Sequence, residues 1–383
     1  MNKLFLYAII ACITSVMPMT IKAAEAYAAF SNDNTTLTFY YDNQKSSRNG
    51  MDIGPFESKK DRGWHEYCNE ITTVVFDASF TQKTDLVSTA YWFKGFGNLT
   101  TISGIENLNT HKVIDMSSMF DDCSSLKKID LSSFNTENVE NMQGMFIECE
   151  SLTTLDLRNF NTSRVKNMSM MFAGCVNLNN PYLKSFSTEN VTEMWSMFED
   201  CKTLTELDIS NFNTSNVIDM RYMFADCYCL RQLDLSSFNT SNVTNMNCLF
   251  QGSKTLKTVY VSDEWNTAKV EKGERVFNDC YNIVGGKGTV YDENNIDHTY
   301  AHIDGGESNP GYLTYYKDGV SPKKEGDANG DDTVNAADIV ELVNYIMGSP
   351  SGKFDDKAAD VNGDGVVNAA DIVAIVNIIM GAK

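Results

Sequence analysis

Between Val113 and Asn242 the chain writes one 26-residue phrase five times, with no insertion or deletion. The rows begin at Val113, Val139, Val165, Val191 and Val217. The first reads VIDMSSMFDDCSSLKKIDLSSFNTEN and the fourth VTEMWSMFEDCKTLTELDISNFNTSN. A fixed period of roughly 20 to 50 residues marks a solenoid, in which each repeat is one coil that buries its apolar side only against its neighbours. This rules out an ordinary single-core fold for about a third of the 383 residues.

Within the first row the apolar positions are Val113, Met116, Met119, Phe120, Cys123, Leu126, Ile129, Leu131 and Phe134. The L-x-x-L-D-L segment alternates at period two, which predicts a short strand with Ile129 and Leu131 inward and Asp130 outward. Stacked strands of this kind would form a parallel sheet along one face, and the segment resembles the strand of a leucine-rich repeat. The S-x-MF-x-x-C-x-x-L part has helix-like spacing but room for no more than one or two turns. Phe-Asn-Thr then turns the chain back. Asn135, Asn161, Asn213 and Asn239 are expected to point inward and bond the backbone of neighbouring coils. Cys123, Cys149, Cys175, Cys201, Cys227 and Cys280 share one slot, which Ser253 also fills, so they read as small buried packing residues and not as redox or metal groups. Asp130, Asp156, Asp208 and Asp234 form an outward row that reads as either a solvated face or a binding face. Where the rows differ, at Trp195, Arg221, Tyr222, Pro181 and Tyr182, a ligand would be read.

Flanking segments complete the array. Residues 1–23 look like a secretory signal, with Lys3 ahead of an apolar run from Leu4 to Val16 and small residues at Ala23 and Ala24. A rival reading makes Cys12 a lipidated anchor. Residues 24–85 carry the runs LTFYY and ITTVVF and read as an N-terminal β cap. Residues 86–318 hold an atypical first coil, the regular rows, a decaying last coil and a C-terminal cap. The formal charge of −20 and pI near 4.6 argue against nucleic acid or an anionic membrane surface as partner. No transmembrane stretch follows the signal. From about residue 30 to 316 the chain resembles the BspA-like bacterial leucine-rich-repeat surface proteins with 26-residue repeats. That resemblance implies an exported protein of adhesion and protein binding, and it brings no catalytic residues.

After a linker at 319–326, residues 327–383 carry a different repeat. DANGDDTVNAAD (Asp327 to Asp338) and DVNGDGVVNAAD (Asp360 to Asp371) are 12-residue loops with oxygen side chains at positions 1, 3, 5, 9 and 12. This is the EF-hand calcium scheme, with a backbone carbonyl offered at position 7. The expected ligands are Asp327, Asn329, Asp331, the Thr333 carbonyl, Asn335 through water and Asp338. In the second loop they are Asp360, Asn362, Asp364, the Val366 carbonyl, Asn368 and Asp371. Position 6, normally glycine, is Gly365 in the second loop and Asp332 in the first, which predicts a less ideal first site. Each loop feeds an apolar helix, DIVELVNYIMG or DIVAIVNIIMG, capped by Asn335 or Asn368 and ending at Gly348 or Gly381. Ile339, Leu342, Val343 and Ile346 and their second-copy equivalents form its apolar face. A doubled loop-then-helix unit with Asp at position 12 closely resembles a type I dockerin. The resemblance implies two bound Ca2+ ions and docking onto a cohesin module of a scaffold or cell-surface protein. It implies partner-selecting roles for Ala336, Ala337, Ala369 and Ala370, where the best-known dockerins carry a hydroxyl pair.

The fold expected is therefore an α/β solenoid, a leucine-rich-repeat-like stack of 26-residue coils with β caps, plus a small all-α calcium-binding dockerin module. The function expected is non-catalytic. The array binds a host protein or glycan, and the dockerin tethers it at the cell surface or in a secreted complex. Alternatives are an accessory part of a polysaccharide-degrading assembly, a bare spacer, or a glycoside hydrolase. Against an enzyme, no segment outside the repeats is large enough for a catalytic domain. The periodic Asp residues also share one environment, whereas an acid–base pair needs two.

Overall fold

Four segments near the N-terminus pair into strands in the computed structural model. It describes residues 22–316, 325–331, 333–350 and 354–380; the signal-like segment with Cys12, most of the linker and Asp332 lie outside these. β1 (Glu25–Phe30) runs antiparallel to β2 (Thr36–Asp42). β2 pairs in parallel with β3 (Thr73–Phe76), and β3 with β4 (Thr101–Ser103). β2 and β3 fall on LTFYY and ITTVVF; β1 (EAYAAF), with its three alanines, gives too weak a strand signal to be read from the sequence. Phe39, Phe76, Phe80, Trp64, Trp92 and Phe93 pack ring against ring beneath this sheet and close the first coil.

In the regular rows the backbone bonds run sideways. The N–H groups of Met116, Ser118, Phe120 and Asp122 donate to the carbonyls of Asn141, Gln143, Met145 and Ile147 in the next coil, at 2.8–2.9 Å. Between them, Met119 and Cys123 donate to the carbonyls three residues back, Met116 and Phe120. The segment is thus a pair of tight turns whose third residues, Ser118 and Asp122, sit at φ 51° and 59°. The same slots are left-handed in the later rows, for example at Met170, Ser196, Asp200, Tyr222 and Asp226. Half the N–H groups that a helix needs are spent on the neighbouring coil, so the helix-like spacing does not produce one. Among the described residues, the α-helices lie only in the C-terminal unit, and the first unit has only short 3-10 turns in its flanking segments. The helical half of the α/β expectation is therefore corrected for the array.

The expected continuous strand face is also corrected. The L-x-x-L-D-L segment is a strand only toward the end of the array, as β5 (Gln232–Leu235) paired in parallel with β6 (Thr258–Val261). In the first four rows side chains of the following coil take the carbonyls instead. Asn159 Nδ2 donates to the carbonyls of Leu131 and Phe134 at 3.0 and 2.9 Å, and Ser185 Oγ to that of Leu157 at 3.0 Å. Pro181 removes a donor from the third row. The unbroken parallel ladder runs elsewhere, as single bridges linking Ser88, Asp115, Asn141, Asn167, Glu193, Asp219, Asn245 and Lys272.

Every apolar position named in the first row is buried, with Ile129 only partly so. One phenylalanine per coil stacks on the next, from Phe120 through Phe146, Phe172, Phe198, Phe224 and Phe250 to Phe277, with centroids 5.5–6.0 Å apart. Phe93 closes one end and Tyr312 the other. The cysteine slot is packing, as expected, and also a hydrogen-bond position. Each thiol donates to a phenylalanine carbonyl of the previous coil, Cys175 to Phe146 at 3.0 Å and Cys227 to Phe198 at 3.2 Å. Ser253 makes the same bond to Phe224 at 2.8 Å. Burial pushes the Cys175 thiol up to about 12, so it stays protonated.

The inward asparagine is a threonine. Asn135 is exposed, and its side chain accepts from the Glu137 N–H, closing its own turn. The buried Thr136 beside it donates to the Asn161 carbonyl at 3.0 Å and accepts from the Asn161 N–H at 2.8 Å. Thr110, Thr162, Thr188, Thr214 and Thr240 do the same. The outward Asp row has a structural use, because Asp130, Asp156, Asp208 and Asp234 each accept from the N–H two residues on. Like-charge repulsion is relieved where Arg158 pairs with Asp156 and Lys184 with Asp208.

Two compact units divide between Thr314 and Tyr315. In the second, α1 (Ala336–Ile346) and α3 (Ala369–Met380) follow the two loops, and the short α2 (Asp356–Ala359) precedes the second loop. Its core is small: Ala328, Leu342, Ala359, Val361 and Ile375, with Ile339, Phe354 and Ile372 partly buried against them.

Candidate functional site

Two 12-residue loops adopt the same hydrogen-bonded form. Asp338 and Asp371, at position 12, are fully buried. Each carboxylate reaches back across its loop. Asp338 Oδ1 accepts from the Asn329 N–H at 3.1 Å and Oδ2 from the Asn335 N–H at 2.7 Å. Asp371 does so from Asn362 at 3.2 Å and Asn368 at 2.9 Å. In α1 the second bond is one half of a capping box, which the Asn335 side chain completes by accepting from the Asp338 N–H; Asn335 and Asn368 also accept from the N–H groups of Ala337 and Ala370 at 2.8 Å. One residue per loop thus fixes both the loop and the first turn of its helix.

The remaining loop residues line up in sequence. Asn329 Oδ1 accepts from the Asp331 N–H at 2.9 Å, and Asn362 Oδ1 from that of Asp364 at 2.8 Å. Asp331 accepts from the Thr333 hydroxyl and N–H, which hold its carboxyl below the usual range. Asp364 accepts from the Val366 N–H at 2.8 Å. Asp327 is buried and accepts from the Asp331 N–H at 3.0 Å. Asp360 Oδ2 accepts from the Gly365 N–H at 2.9 Å, while its Oδ1 is buried with no hydrogen-bond partner. The position-7 carbonyl of Val366 accepts from Asn368 Nδ2 at 2.8 Å. Gly365 sits at φ 82°, the conformation that position 6 demands. Gly330 and Gly363, at position 4, are also left-handed, a requirement the motif reading passed over. Among the described residues no three His, Cys, Asp or Glu side chains gather closely enough to hold a metal by themselves; Asn side chains and backbone carbonyls make up the other donors of each loop.

Sequence reading also missed how much apolar surface the helices leave open. Of the expected apolar face, Leu342 is buried and Ile339 partly so, but Val343 and Ile346 are exposed. Val340, Met347, Val373, Val376 and Met380 are exposed beside them, Met347 to 77% and Met380 to 74%. The Ala336–Ala337 and Ala369–Ala370 pairs lie exposed in the first turns of α1 and α3.

The family model described as "Mycoplasma protein of unknown function, DUF285" matches residues 88–205 and 177–286, together more than half of the chain. The chain belongs to the DUF285 family. This is a BspA-like repeat class, and the DUF285 region here is the array of stacked coils. A second model, the dockerin type I domain, matches residues 325–380, so the two loops and their helices form a dockerin, a kind of module that binds calcium. No curated protein matches the chain. Among solved structures the DUF285 chain is similar to a leucine-rich repeat protein of T. pallidum, at 18% identity over 56% of this chain and 90% of that one, with a TM-score of 0.29. It is also similar to leucine-rich repeat proteins of Eubacterium ventriosum (15% identity, 68% and 84% covered, TM-score 0.31) and Bacteroides ovatus (14%, 67% and 98%, TM-score 0.15).

Proposed function

We propose that this DUF285 protein is an exported, non-catalytic binding protein, whose dockerin carries two Ca2+ ions and docks onto a cohesin-type module of a scaffold or cell-surface protein. The array is its ligand-binding part, for a protein or a glycan. The observation that carries the docking half is the matched pair of loops, each tied by its buried position-12 Asp to a helix that leaves an apolar face in solvent. An exposed apolar face of this extent on so small a module marks an interaction surface. The Ala336–Ala337 and Ala369–Ala370 pairs flank the two copies of that face and would read the partner.

The loops suit a hard cation. Their donors are all oxygen, and the buried, unpartnered Asp360 Oδ1 is what a cation-binding carboxylate looks like without its ion. Asp327, Asn329, Asp331, the Thr333 carbonyl, Asn335 and Asp338 would hold one ion. Asp360, Asn362, Asp364, the Val366 carbonyl, Asn368 and Asp371 would hold the other. Bound calcium would neutralise the clustered carboxylates and supply much of the folding free energy that a core of five buried residues does not.

Calorimetric titration of the full chain should show two calcium equivalents, and capture by a panel of cohesin modules should vanish in EGTA. The variant combining Asp327→Ala, Asp338→Ala, Asp360→Ala and Asp371→Ala should lose both. Cohesin capture that survives EGTA, or that combined variant, would sink the docking reading.

A further inference from the structure

The far end of the array carries a second feature. Residues 281–312 form an open cleft of about 750 Å3, within the roughly 300–1,000 Å3 of ordinary small-ligand sites. Tyr281, Val290, Tyr291, Glu293, Asn295 and Pro310 line it. Tyr281 and Val290 are 56% and 67% exposed.

Tyr281 is held in place even though it faces solvent. Its hydroxyl donates to the Asp279 carboxylate, and its ring meets Tyr291 edge to face with centroids 5.5 Å apart. Tyr291 in turn accepts from the Asp279 N–H and lies against buried Tyr312, whose hydroxyl accepts from the Asp292 N–H at 3.0 Å. A train of fixed rings therefore runs from the core of the array to an open ring at the surface. A ring already held in one position loses little freedom when a ligand covers it.

The lining has no Lys, Arg or His, and the chain's net charge of −20 opposes anions. An ammonium guest is favoured by ring faces converging on it, but Tyr281 and Tyr291 stand at 85° to each other. What remains is a ligand with a flat C–H face and hydrogen-bonding edges. Ring and aliphatic surface suit the face, and the exposed Glu293 and half-buried Asn295 suit hydroxyls at the rim. We propose that this cleft binds a neutral oligosaccharide, with a sugar ring lying on Tyr281. The proposal rests on the reading of the array as a ligand-binding part and not on the docking module.

Full-length protein is titrated by calorimetry with xylohexaose, mannohexaose, cellohexaose and maltohexaose, and with hexalysine, in calcium and again in EGTA. At least one hexasaccharide binds equally in both conditions. Tyr281→Ala weakens that binding about tenfold or more, a loss of about 1.4 kcal/mol, whereas Tyr281→Phe keeps the ring and stays within about threefold. Tyr228→Ala, at another exposed tyrosine, leaves it unchanged. No binding of any hexasaccharide, binding indifferent to Tyr281→Ala, or binding of hexalysine alone overturns the proposal. Sugar binding lost in EGTA overturns it too, by moving recognition to the calcium loops. Cohesin capture measured on the same samples separates failure of the cleft from failure of the docking reading.

Discussion

Thr188 is buried, and its hydroxyl accepts from the Asn213 N–H at 2.8 Å while donating to the Asn213 carbonyl at 2.9 Å. One side chain thus satisfies both backbone groups of a residue in the next coil. Thr188→Val keeps the shape and removes both bonds, leaving a donor and an acceptor unpaired, so it should cost about 2 to 4 kcal/mol. Thr188→Ser keeps the hydroxyl and should lose about 1 kcal/mol for its missing methyl. Urea midpoints of the three proteins test the order; equal costs for Val and Ser would mean that packing and not bonding is the job of this slot. The sequence shows Asn and Thr side by side in the same turn with almost equal regularity. Which of the two faces in depends on the turn's backbone angles, and the spacing of the letters does not encode them.

Elements differ in how far their letters determined them. The helices after the loops and the strands β2 and β3 were legible because apolar periodicity, caps and β-branched runs agreed. The turns at Met116 to Cys123 were not, because their N–H groups bond to a coil 25 residues away and that competition has no local signature. The calcium-type loops were legible as a ligand pattern, and the cleft at residues 281–312 was not, since it brings together rings with no common spacing. The turn at 287–289, which forms part of that cleft's edge, depends on Asp304. This buried carboxylate accepts from the N–H groups of Lys287, Thr289 and Gly306 and from the Thr289 hydroxyl. Burial pushes its carboxyl up, but these four donors outweigh burial and bring it down to about 2. A depressed folded value contributes stability that is fully present above the unfolded value near 4 and is lost as pH falls through about 2. Asp304→Asn should therefore lower stability by about 2 kcal/mol at neutral pH, with the gap to wild type closing below about pH 4. Thermal unfolding of both proteins from pH 7 to pH 2 checks this, and a gap that stays constant across the range would contradict it.

At the scale of the whole array, each coil bonds to its neighbour through one repeated set of groups: four turn N–H donors, one threonine hydroxyl, one thiol or serine, and one stacked phenylalanine. Such an array is held by nearest-neighbour interfaces, so a coil can be removed if its two neighbours present matching slots. The third row is the best subject, because Tyr182 and Ser187 already break its Asp and Asn rows. Deleting residues 165–190 joins Arg164 to Val191 and keeps the period. It sets Phe146 beside Phe198, Thr162 beside Asn213, and Cys201 beneath the Phe146 carbonyl that Cys175 had used. The shortened chain should be monodisperse and folded, and less stable by about the contribution of one coil. Its calcium uptake and its saccharide binding should match those of the parent. Removing only residues 165–184 takes out part of a period and sets apolar positions against exposed ones, so that chain should aggregate. Light scattering, circular dichroism and the two titrations distinguish these outcomes. Equal damage from both deletions would mean that the coils are not interchangeable, and that one of the row-specific residues, such as Pro181 or Tyr182, is needed for the fold itself.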